Sequence, residues 1–150
     1  MIPTSAIAFF CEDIRAEAES RVTVIGIFPD NMNLEIPSGT LPEGKVPALP
    51  KLSIFVRISF DPNKKLDSIK AKVINPDGTE TALDGVAADV IQKAQKEARE
   101  QNNIISNINM TLQMQPFPVP TFGRMRLEVE VGGETFVCGA LNFQKAPAKT

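Results

Sequence analysis

Histidine, tryptophan and tyrosine are all missing from this chain of 150 residues. Without histidine there is no Ser-His-Asp triad, no Cys-His pair, no imidazole base and no imidazole metal ligand. Any catalysis has to run on carboxylates, lysine or cysteine. The nine aromatic side chains are all phenylalanine, which fills a core but cannot hydrogen-bond a ligand. Cysteine is scarce, with only Cys11 and Cys138. Two cysteines without a histidine partner do not build a structural zinc site. No metal and no cofactor are expected. The net charge is −2, and no long run of one sign occurs. A basic patch for nucleic acid is therefore not expected.

The N-terminus, MIPTSAIAFFCED, has no positively charged leading region. Its apolar stretch, Ala6–Cys11, is too short for a signal peptide or a membrane span. A cytoplasmic protein with reduced thiols and no membrane partner is the expectation. The length suits one domain, read as 1–145 with a mobile tail at 146–150.

What is present is mostly alternation with period two, the signature of strands. Residues 51–60 (KLSIFVRISF) set Leu52, Ile54, Val56, Ile58 and Phe60 on one face, with Phe55 the odd member of the other. Residues 68–74, 79–83, 104–114, 124–131 and 135–143 also read as strands. Asn75-Pro76-Asp77-Gly78 is a strong turn signal. Val131-Gly132-Gly133-Glu134 is a hairpin signal, because adjacent glycines permit a primed turn. One segment, 86–101, is rich in Ala, Lys, Glu and Gln and predicts a helix. Its thin apolar stripe is Val86, Val90, Ile91, Ala94 and Ala98. Residues 29–50 and 115–121 are proline-rich linkers, expected to lie extended over a sheet edge. Seven or eight antiparallel strands with one inserted helix read as a mainly β fold, a β-sandwich.

The closing run from Phe122 to Glu134 resembles the last hairpin of immunoglobulin-like domains. More widely, "AIAFFCEDI", "RVTVIGIF", "LPKLSIFVRISFD" and "VINPDG" resemble a family of small uncharacterised bacterial proteins. The resemblance covers most of the chain. It implies an immunoglobulin-like β-sandwich and brings no activity or site residue with it.

Each candidate site has a plain structural reading beside it. Cys11-Glu12-Asp13 could be a thiol or paired-carboxylate site. Neighbouring strand residues point to opposite faces, however, and two acids raise a thiol's pKa. A buried cysteine followed by a polar turn is the expected arrangement. Asp61, Asn63 and Asp67 suggest a calcium loop, but Lys64 and Lys65 stand where acids should be. "LPEGKVP" (41–47) lacks the glycine-rich context of a phosphate loop. Asn107, Asn109 and Gln113 line one face of a strand and could hold a polar ligand such as a sugar. Arg124, Arg126, Glu128 and Glu130 read as the wet side of a sheet with cross-strand ion pairs.

One apolar feature exceeds what a core needs. Residues 6–11, 22–28 and 136–141 are apolar on both faces, whereas a sheet in a two-layer fold should have one wet face. The predicted helix or a second copy of the chain could cover the surplus. Phe10, Ile25, Ile27, Phe136 and Val137 are the candidate interface residues. The expected function is a non-catalytic binding or assembly module, a homodimer or larger homo-oligomer, with a protein partner also allowed. The competing readings are a carboxylate enzyme for a small polar substrate, using Glu12 or Asp13 with Asp61 or Asp84, and a structural subunit of a larger bacterial or phage-like assembly.

Overall fold

The computed structural model describes residues 2–34 and 46–147. In chain order the strands are β1 (Ser5–Ala16), β2 (Val22–Ile27), β3 (Asn31–Leu34), β4 (Ala48–Leu49), β5 (Leu52–Phe60), β6 (Ile69–Ile74) and β7 (Glu80–Val86). The helix α1 (Ala88–Glu100) follows. The chain then forms β8 (Ser106–Met114), β9 (Phe117–Pro118), β10 (Gly123–Val131) and β11 (Glu134–Lys145). The protein is mainly β. A four-stranded sheet has the order β2-β1-β5-β8, and a five-stranded sheet the order β3-β11-β10-β6-β7. Of the eleven strands among the described residues, β4 and β9 stand apart as a two-stranded piece.

The alternation read from the sequence decides which side chains point inward. Ala8 and Phe10 of β1 and Ile54, Val56 and Ile58 of β5 are buried in one cluster. Ala71 and Val73 of β6, Met125, Leu127 and Val129 of β10, and Leu141 and Phe143 of β11 belong to that same cluster. The two main sheets thus share one core. Both predicted turns are present. The amide of Gly78 donates to Asn75 O at 2.9 Å, and Asp77 Oδ1 accepts the Thr79 amide at 2.9 Å. Gly132 and Gly133, at φ 57° and 87°, join β10 to β11, in a backbone conformation that only glycine adopts freely.

Four features depart from the sequence reading. The expected turn at Glu12-Asp13 is instead strand, because β2 returns antiparallel along β1 from Cys11↔Ile27 to Ala16↔Val22. The pairing is not all antiparallel: β3 lies parallel to β11. The chain leaves β2 with the Phe28 amide bonded to Phe10 O and enters the other sheet at β3. The two proline-rich linkers also meet each other. Ala48 pairs with Pro118 and Leu49 with Phe117, and Leu49 and Val119 are buried there. Residues 35–45 of the first linker, which include part of "LPEGKVP", lie outside the described residues, as does the end of the expected tail from 148 on.

The helix is the fourth. Ile91 and Ala98 are buried as expected, but Val90 is 49% exposed and Gln95 is buried in its place. The Gln95 amide donates to Asp61 O and Lys64 O, and Arg99 donates to Pro62 O at 2.6 Å. Those carbonyls hold α1 against the loop after β5 and beside β8. The helix makes no comparable contact with β1 or β2.

Candidate functional site

Strand register places the surplus apolar residues. On the outer face of the four-stranded sheet, Cys11 has Ile27 on one side and Ser53 on the other, and Gln113 lies beyond Ser53. The next row is Phe9, Phe55 and Thr111, and the row after it Ile7, Arg57 and Asn109. Ile25 lies opposite Asp13. The face is therefore divided. Its β2–β1 half carries Ile7, Phe9, Ile25 and Ile27, and its β8 edge carries Asn107, Asn109, Thr111 and Gln113. Ile27 is 57% exposed and Ile7 49%, while Phe9 and Ile25 are half-buried.

The five candidate interface residues separate accordingly. Phe10 is buried in the core, and Phe136 packs against it. Ile25 and Ile27 lie on the outer face just described. Val137 is 62% exposed, but it is opposite Glu128 on the other sheet. The sequence could not assign these sides, because both parities of β1 and β11 are apolar. It also passed over Ile7 and Phe9, whose alternation with Ala8 and Phe10 was the available signal.

The amides of β8 are partly engaged. Asn107 Oδ1 accepts from Ser59 Oγ at 2.6 Å and from Arg57 Nε at 3.3 Å. Gln113 reaches across to Ile14 O at 3.3 Å. On the five-stranded sheet, Arg126, Glu128, Lys72 and Glu80 form a chain of ion pairs, with Lys72–Glu80 at 2.9 Å and Arg126–Glu128 at 3.1 Å. That face is wet, as predicted.

The candidate acids do not assemble. Lys51 Nζ donates to Asp13 Oδ1 at 2.6 Å and holds that carboxyl below its usual pKa. Asp61 is pulled down by the amides of Asn63 and Ile2, at 2.8 and 3.2 Å. Lys51 and Asp61 bracket β5, so Asp13 and Asp61 sit at opposite ends of a strand roughly 30 Å long. Asp84 is exposed on β7, in the other sheet. The Asp61–Asp67 loop is a turn in which Asp61 accepts the amides of Asn63 and Lys64, with Ile2, Gln95 and Arg99 bonded to it from outside. Among the described residues, no group of three or more Cys, Asp or Glu side chains is placed to hold a metal ion. No helix among them is long and apolar enough to cross a membrane.

The two thiols are free and lie in different sheets. Cys11 has no exposure, and its Sγ lies 3.5 Å from Ser53 O. Burial raises its pKa. Cys138 is half-buried, and burial pushes its pKa up to about 11. Neither is an activated nucleophile, which requires a lowered pKa.

A cleft of about 330 Å³ lies between the Asn75–Asp77 turn and the segment from Pro116 to Thr121. Met114, Phe117, Val119 and Phe143 form its apolar side, with Asn75 and Thr81 opposite. Asn75 Nδ2 is already bonded to Thr79 and Thr81 Oγ1, at 3.1 and 3.2 Å. The one acid lining it, Asp77, is taken by Thr79.

The family of unknown function DUF6941 matches residues 6–142. The chain belongs to DUF6941. The DUF6941 match runs from the start of β1 into β11, so it takes in both main sheets, the helix and the outer face with Ile7 and Ile27. No curated protein and no solved structure matches the chain.

Proposed function

We propose that this DUF6941 protein is a non-catalytic binding or assembly module that associates with itself through the outer face of its four-stranded sheet. The observation that carries the proposal is the placement of Ile25, Ile27, Phe9 and Ile7 on successive rows of the side of the sheet away from the core, with Ile27 and Ile7 exposed. A sheet with one face packed on a core normally presents polar side chains on the other. Contiguous exposed apolar surface marks an interface. The helix, the other candidate cover, is held against the loop after β5 by Gln95 and Arg99. A two-fold pairing of this face buries one self-complementary patch.

The fold proposed for this role is an immunoglobulin-like sandwich. The repeated passage of the chain between sheets, from β2 to β3, β5 to β6 and β7 to β8, supports it. A bacterial, cytoplasmic setting is part of the same reading, and the two unpaired thiols support its cytoplasmic half. The test is Ile27→Asp with Ile7→Asp. Loss of mass in light scattering with unchanged circular dichroism supports the face as the interface. An unchanged mass means that the face is not used for self-association.

A further inference from the structure

A second surface carries an argument of its own, and it is an edge. A strand at the edge of a sheet offers unpaired amides and carbonyls to any other strand, and proteins usually blunt such edges with brevity, charge, proline or a bulge. Of the four outer strands that the two main sheets show among the described residues, three are blunted. β2 has six residues and contains Gly26 at φ 65°. β3 has four. β7 carries Glu80 and Asp84, and its register with β6 slips between Ile69 and Ala71. β8 is different. It pairs with β5 over nine successive residues without a slip, and has no second partner among the described residues. From Ser106 to Met114 it contains no charge, no proline and no glycine.

We infer that β8 pairs antiparallel with β8 of a second copy, about a two-fold axis at Met110, joining two four-stranded sheets into one of eight strands. The occupant follows from the sequence of the edge. Around Met110, Asn109 meets Thr111, Ile108 meets Leu112 and Asn107 meets Gln113. Apolar meets apolar on the inner row, and small polar meets small polar on the outer row. The side-chain parity of every strand is kept, as register requires, and no like charges are opposed. A second feature favours occupation. Beside this edge a gap of about 90 Å³ opens between the two sheets, lined by Val56, Ala71, Leu83, Met110 and Leu112, with Asp84 at its rim. A neighbouring strand on β8 covers the half-buried Met110 and Leu112. This edge is distinct from the apolar face and goes beyond the function proposed above.

The test starts from I7D/I27D, which removes face-to-face association. Light scattering at tens of micromolar is expected to give twice the chain mass of 16.3 kDa. Amide exchange in 107–113 should be slow at that concentration and faster on dilution. Adding N109K/T111K brings lysines to face each other across the axis beside Arg57, and the mass should halve. N109D/T111K instead places opposite charges across it, and the doubled mass should return. Asn109 and Thr111 are exposed, and Asn107 and Gln113 keep their own bonds, so the fold is spared. A monomeric I7D/I27D with freely exchanging β8 amides overturns the edge pairing while leaving the face proposal to the wild-type mass. Protection that ignores both dilution and N109K/T111K also overturns it, since the edge is then covered within the chain. Failure of N109D/T111K to restore the mass rejects the register.

Discussion

Cys11 and Ile27 are direct partners across the β1–β2 ladder, yet Cys11 has no exposure and Ile27 is 57% exposed. The outer face is therefore closed over its thiol and open over its isoleucine. The same row that could have presented a reactive cysteine presents an exposed isoleucine.

Thiol labelling checks the closed half. At pH 8 without denaturant, neither cysteine should react quickly. Cys11 is shielded by burial. Cys138, with a pKa of about 11, has only about one molecule in a thousand as thiolate at that pH. Labelling of Cys138 should accelerate as pH rises toward 11. Fast labelling of both in the native protein contradicts the assigned burial.

Helix α1 should show a sharp contrast between neighbours. Ile91→Ala should cost about 2 kcal/mol or more, because a fully buried side chain leaves a cavity. Val90→Ala, half exposed, should cost below about 0.5 kcal/mol. Gln95→Leu should cost about 1–3 kcal/mol, since it strips partners from the carbonyls of Asp61 and Lys64. Urea melts of the three variants measure this. Equal effects at 90 and 91 contradict the observed helix face.

The Asp13–Lys51 contact predicts a pH dependence of defined sign. The folded carboxyl has a lowered pKa, chiefly through the bond from Lys51. Its contribution to stability is present above the unfolded value of about 3.9 and is lost as pH falls through the folded value. Asp13→Asn should therefore be less stable than wild type at neutral pH, and the difference should shrink below about pH 4. Chemical denaturation at pH 7 and pH 3 measures it. A difference that grows in acid contradicts the assignment.

Much of the fold could be read from the chain, and the reason is local chemistry. Period-two alternation in β5, β8 and β10 fixed their inward rows, because one face of each is consistently polar or partly so. Gly78 and Gly132-Gly133 marked their turns through backbone conformations that other residues avoid. The legible part stopped where pattern stopped. β1 and β11 are apolar on both parities, so Phe10 and Phe136 could not be told from Ile7 and Val137. Gln95 enters the core for two loop carbonyls 31 and 34 residues away in sequence, and periodicity carries no sign of them. The pairing of β4 with β9 joins two proline-rich stretches, each of which read as an isolated linker. The uncharged edge of β8 was visible as composition, but only the strand order made it an edge.

An outer face that joins copies of this chain through Ile27 and Ile7 makes the oligomeric state depend on those two side chains. Light scattering of the wild-type protein across a range of micromolar concentrations, beside Ile27→Asp with Ile7→Asp, measures this. The expected outcome is a wild-type mass well above 16.3 kDa that rises with concentration, and a smaller mass for the double variant. A wild-type mass of 16.3 kDa at every concentration contradicts it.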